Sequence, residues 1–194
     1  MPEEYRAEAL QCSLQVAIAA RNAEMLGLTY TFENGASRNA YLFNLLYKHI
    51  EPGPIFVTDA NAVYVELAGE DLVLSKKIIP VPRHMDVEKP NVPCTTLVKP
   101  GERFQGDVLI PLPLQVNTPY EGYEDADLAP RPVLRKASFE IGFFLASPEG
   151  EALGEKVRTM AGEATYFYPF SPSSQKLLRV GPFSEAVPVR VPRE

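Results

Sequence analysis

The chain has no tryptophan, two cysteines, two histidines, and no apolar run near the ~20 residues that a membrane helix needs. Each scarcity removes a class of function. Without tryptophan the chain lacks the usual platform of carbohydrate-binding β-sandwiches, although tyrosine can stand in for it. His49 and His84 are the only histidines, and neither lies near a Gly-x-Ser-x-Gly elbow, so nothing in the sequence points to a Ser-His-Asp hydrolase. There is no Gly-x-x-x-x-Gly-Lys-Ser/Thr and no Gly-x-Gly-x-x-Gly, the loops that cradle phosphates with backbone N–H groups. The opening Met1-Pro2-Glu3-Glu4-Tyr5-Arg6-Ala7-Glu8 is acidic and lacks the apolar stretch of a signal peptide, which leads to the expectation of a cytoplasmic protein. A net charge of −6 argues against a nucleic-acid partner, because binding phosphates needs a basic face.

What is present describes an all-β protein. The 194 residues suit one domain, expected to span 1–194 and to fold without disulfide or metal. The 19 prolines are about twice the average share and imply many short connections and few long helices. Cys12 and Cys94 in a chain without a leader are expected to be free and buried, with a bond between neighbouring strands as the alternative. Alternation is clear at Leu14/Val16/Ile18, at Leu26/Leu28/Tyr30/Phe32, at Phe139/Ile141/Phe143 and at Val187/Val189/Val191. Residues 39–50 could form a strand or a short helix, and their aromatics favour a strand. Residues 1–11 read as a short helical turn or a frayed end, and a short helix is expected near 151–161. The last strand reads as an edge guarded by Pro188, Arg190 and Pro192. With no alternation of strand and helix, a parallel sheet is not expected. The sum is two antiparallel sheets packed face to face, about eight or nine strands joined by long proline-rich loops, with a β-barrel as the alternative.

Three features carry a resemblance. The strand Leu26–Phe32 ends on Asn34; a meander follows over Ile55–Leu67, with Asp59 and Val63-Tyr64; and Val98-Lys99-Pro100-Gly101-Glu102 turns the chain into the strand Phe104–Leu112. In this order they resemble the open Ig-like sandwiches of bacterial proteins, among them the small intracellular proteinase-inhibitor family. The likeness covers residues 13–112, about half of the chain. It implies an Ig-like fold, and protease inhibition by analogy alone; no functional residue is carried over.

Groups for catalysis are sparse. Cys94 and His84 share one proline-rich loop, but nothing supplies an oxyanion hole or an orienting third residue. His84, Asp86 and Cys94 match no zinc spacing, and the run Glu121, Glu124, Asp125, Asp127 lacks the order of a calcium loop. No metal or cofactor is therefore expected. What remains is a binding surface. Tyr120 and Tyr123, in an acidic loop, and Tyr166, Tyr168 and Phe170, in a late segment, are more aromatic than loops usually are, and such rings either anchor interfaces or fold back to cap the sandwich. The expected function is non-catalytic protein binding, inhibitor-like or through self-association. The alternative is a small-ligand site or an enzyme site built from loops 79–96, 113–135 and 147–175.

Overall fold

The computed structural model describes residues 4–193. It is 54% strand and 5% helix, so the all-β expectation holds, and its sheets curl into a half-barrel. The first sheet is antiparallel: β1 (Glu4–Ala9), β2 (Cys12–Arg21), β3 (Met25–Asn34) and β10 (Arg103–Pro111), in that order. The second is mixed. Its order is β5 (Tyr47–Glu51), β6 (Ile55–Thr58), β14 (Glu155–Thr159), β15 (Gly162–Tyr166), β9 (Cys94–Val98), β4 (Ala40–Leu45), β13 (Ala137–Leu145), β8 (Asp71–Lys76) and β7 (Tyr64–Ala68), with β16 (Lys176–Val180) also on β13. A small third sheet holds β11 (Leu114–Gln115), β17 (Val187–Arg190) and β12 (Val133–Arg135). Among the described residues no helix is long and apolar enough to cross a membrane.

Several expectations need correction. The strands number seventeen among the described residues, not eight or nine, because prolines and glycines cut the chain into short pieces. The N-terminal segment is a strand from Glu4 onward, with residues 1–3 outside the described residues. Leu10 and Gln11 both take positive φ, 53° and 64°, which is the turn that closes a two-residue hairpin. Three pairings are parallel, β13 with β8, β14 with β6 and β11 with β17. The partners of each parallel pair are far apart in the chain, with several other strands between them, so no helical crossover is needed. Residues 155–166 form the β14–β15 hairpin in place of the expected helix; the only α-helix among the described residues, α1, is the single turn Pro148–Glu151, capped by the Ser147 hydroxyl. The last strand is interior, not an edge: β17 lies between β11 and β12, with Val187 and Val189 buried.

The turn at Pro100-Gly101 and the end of β3 are held by one residue. Asn34 is fully buried, and its side-chain N–H groups donate to the carbonyls of Val98 (2.8 Å) and Arg38 (2.8 Å). Its side-chain oxygen accepts from Ala36 N (3.0 Å), and its backbone oxygen from Gly101 N (2.7 Å). Gly101, at φ 77°, supplies the left-handed conformation that the turn needs.

β13 organises the packing. Phe139, Ile141 and Phe143 face a core shared with the first sheet, where Phe143 meets Phe32 edge-on at 5.2 Å and Phe139 meets Tyr30 at 5.2 Å. Phe144 points the other way, into a second core with Tyr41, Phe43, Phe56, Tyr166 and Phe167. That second core is closed by residues of β5, β6, β14 and β15 together with loops. The proline-rich crossover 77–93 contributes Ile78 and Val92, and the segment after β15 contributes Phe167 and Phe170. Both cysteines are free and buried.

Candidate ligand cleft between the long loops

The crossover 77–93 is pinned at three points. At its start the Lys77 ammonium pairs with Glu140 (2.6 Å) and Glu66 (2.9 Å), in a site where Lys77 and Glu140 are almost closed to solvent. Gln175 then acts as a strand partner for Ile78: its oxygen accepts Ile78 N–H (2.9 Å) and its nitrogen donates to Ile78 C=O (2.8 Å). Near its end Asn91 accepts from the Tyr64 hydroxyl (3.0 Å) and donates its backbone N–H to the Tyr120 hydroxyl oxygen (2.9 Å). Burial, and then the neighbouring Tyr47 and Tyr120, raise the Tyr64 phenol well above the ordinary range, so it stays a donor.

The tyrosine loop is pinned too. Asn117 exchanges both backbone hydrogen bonds with Val65 (2.9 and 3.0 Å), which lays the loop against the edge strand β7. Thr118 N–H closes a turn on Glu121 C=O (2.7 Å), and that turn swings Tyr120 back toward Asn91. A third element, residues 59–63, is fastened from beneath. The fully buried Lys76 donates to the carbonyls of Ala62 (2.7 Å), Ala60 (3.0 Å) and Asn44 (3.4 Å). Burial lowers its pKa to about 8, with Asp59 pulling the other way.

Between these segments lie two adjoining clefts. One, of about 520 Å³, runs between the crossover and the tyrosine loop, from Met85, Val87 and Lys89 to Thr118, Pro119 and Tyr120, with Tyr47 and Tyr64 in its wall. The other, of about 430 Å³, continues past Asn117 toward Leu109, Gln115 and Tyr123. Lys48, Ala62, Val63 and Asn117 line both. On the far side of the crossover is an apolar hollow of about 370 Å³, walled by Ile78, Pro80, Pro90, Tyr168, Pro169 and Phe170. Lys89 stands between them, its ammonium 4.8 Å from the centre of the Tyr168 ring and 5.5 Å from that of Tyr166.

The five aromatic residues singled out in the sequence therefore separate. Tyr120 is half-buried in the larger cleft, and Tyr123 is half-buried in the smaller one, where its hydroxyl donates to Glu121. Tyr168, 39% exposed, and half-buried Phe170 line the hollow together. Tyr166 is 5% exposed, because the alternation of β15 turns it inward with Ala164. It stacks on Tyr168 at 6.2 Å, and burial and then Tyr47 push its phenol far up. Tyr166 is thus core, out of a partner's reach.

The groups considered for chemistry are dispersed or spent. Cys94 is fully buried in β9, and burial pushes its thiol to about 12, which removes it from nucleophilic work at neutral pH. His84 lies exposed in the crossover. Among the described residues no three of His, Cys, Asp and Glu are grouped to hold a metal. In the acidic run, Asp125 pairs with Arg190 and Glu121 holds Tyr123. Lys48, Lys89, Asn91 and Asn117 were not singled out from the sequence. Their one local signal is that Lys89 and Asn91 flank Pro90 in a crossover where a long proline-spaced loop had already been marked. No known protein family, no curated protein and no solved structure matches the chain.

Proposed function

We propose that the chain is a non-catalytic binding protein that takes a small molecule in the cleft between the crossover 77–93 and the tyrosine loop. The observation that carries this is the Tyr64–Asn91–Tyr120 chain of hydrogen bonds. It fixes two long loops against each other beside a 520 Å³ cleft whose lining mixes apolar side chains with lysine, asparagine, threonine and tyrosine. Preformed clefts of ~300–1,000 Å³ with convergent polar groups are where small ligands bind. Screening a mixed fragment library by ligand-observed NMR tests it. Hits are expected to bind the native chain and to be lost in Asn117→Trp, which sets an indole at the junction of the two clefts from an exposed position and leaves the backbone bonds to Val65 in place. Hits that bind the filled variant equally, or no hits at all, overturn the reading.

A second reading, protein binding or self-association through Tyr168 and Phe170, is favoured by the apolar hollow they line with four prolines, Pro80, Pro90, Pro169 and Pro172. Rigid apolar walls with an exposed ring at the rim suit a partner's side chain. Tyr168→Glu would then abolish self-association, measured by light scattering, and spare fragment binding in the cleft.

The Ig-like sandwich and the kinship with the intracellular proteinase-inhibitor family belong to the same proposal. Asn34 gives them support, since it ties the end of β3 to the Lys99–Glu102 turn and so joins two of the features on which the resemblance rests. The free thiols Cys12 and Cys94 support work in a reducing compartment such as the cytoplasm.

A further inference from the structure

We propose that the larger cleft selects an anion: a small carboxylate or sulfonate with a flat apolar body, its charge held by Lys89 and Lys48. This rests on the small-molecule reading above and narrows it to a ligand class. The chain carries 25 acidic residues against 19 Lys and Arg, yet the lining of this cleft holds two lysines and no carboxylate. In an acidic protein such a concentration of positive charge attracts counter-charge.

The two lysines keep their charge available. Among the described residues Lys89 makes no ion pair; it lines the cleft, and its ammonium lies 4.8 Å from the centre of the Tyr168 ring and 5.5 Å from that of Tyr166, faces that orient a cation without neutralising it. Among the described residues Lys48 has one acidic partner, Asp59 at 3.7 Å, which lines the adjoining cleft and not the larger one. A third donor is built in. The Tyr120 oxygen accepts the Asn91 N–H, so its own proton remains for an acceptor in the cleft. Leu46, Val63, Val87 and Pro119, beside the tyrosine rings, give the lining apolar surface that suits a flat body.

The probe is anilinonaphthalene sulfonate, an anionic aromatic dye, compared with its uncharged relative phenylnaphthylamine in fluorescence titrations of the full chain. The native protein is expected to bind both saturably, and Asn117→Trp to lose both. Lys89→Met should weaken the sulfonate about tenfold or more while moving the neutral dye less than about twofold, as for loss of a charge-assisted hydrogen bond. Lys89→Arg should restore the sulfonate, and Lys48→Met/Lys89→Met should weaken it further. If both dyes occupy the cleft and Lys89→Met leaves the sulfonate unchanged, the anion inference is overturned and the cleft reading stands. If neither dye binds saturably, or Asn117→Trp retains both, the cleft reading itself fails.

Discussion

One face of β13 is covered by a hydrogen-bonded sheet, the other by a mixture of strands and loops. On the first face, Phe139, Ile141 and Phe143 meet side chains projected by β2, β3 and β10, and the backbone of those strands satisfies itself. On the second, Tyr41, Phe43 and Phe144 are roofed in part by the crossover 77–93 and the segment after β15, whose backbone groups need individual partners. Gln175 serves Ile78, and Asn91 is held between Tyr64 and Tyr120. Lys77 adds a buried ionic anchor. A sheet closes a core without leaving gaps. Loops fixed at separate points leave clefts between those points: the apolar hollow borders loops on that side, and the two clefts open beside β7, the smaller one reaching β10 of the first sheet.

The comparison can be broken where the effect is largest. Phe139→Ala, on the sheet-covered face, is expected to cost ~3–5 kcal/mol in global stability, read from urea unfolding. A loss under about 1 kcal/mol would mean that this face is not the rigid one.

A second test uses pH. The Lys76 pKa is depressed to about 8 in the fold, against an ordinary value of 10.5, so the unfolded chain binds the extra proton between those values. Its contribution to stability is therefore present above about pH 10.5 and lost as pH falls through 8, an upper bound of ~3.5 kcal/mol from the ~1.4 kcal/mol per pK unit. Above about pH 10 the tyrosines act in the opposite sense. Burial pushes Tyr30 and Tyr41 up to about 12, so unfolded phenols ionise first and stability falls. The buried Cys94 thiol, pushed up to about 12 from 9.0, and the raised Cys12 thiol act in that opposite sense already from about pH 9. Unfolding free energy should thus rise from about pH 8 toward 9, level off and then decline, and Lys76→Met should remove the rise. A flat profile in the native chain would show that the ammonium under residues 59–63 carries no such penalty.

The smallest effect sharpens the loop side. Gln175→Ala leaves the N–H and C=O of Ile78 unpaired and is expected to cost ~1–3 kcal/mol. Hydrogen exchange should quicken at Ile78 and its loop neighbours and stay unchanged in β3 and β10. Equal quickening in both places would mean that the two faces form one cooperative unit.

Much of the first sheet was legible before the fold was known. Leu14 and Val16 in β2, and Leu26 to Phe32 in β3, alternate because one side of each strand is buried and the other is not. β1 was not, because Glu4, Arg6 and Glu8 dominate the reading and the inward Tyr5, Ala7 and Ala9 are only partly covered. The β14–β15 hairpin escaped for a similar reason: Val157 and Ala164 are weak apolar signals among charges and glycines. Of the site, the proline-rich and tyrosine-rich loops could be marked as irregular and aromatic, and Tyr120 and Tyr123 indeed line clefts. The burial of Tyr166 and of the Lys76-Lys77 pair could not be read, since two consecutive lysines ordinarily signify a solvated surface.

The sequence by itself determined the strand class, the absence of long helices and the turn at Pro100-Gly101, because alternation and backbone preference act over a few residues. The tertiary structure alone decided which face of β13 the loops would cover, the parallel pairing of β13 with β8, and the opening between Lys89 and Tyr120. Those depend on contacts between residues far apart in the chain, such as Gln175 with Ile78 and Asn91 with Tyr120, and no local pattern encodes which distant partner a polar side chain will find.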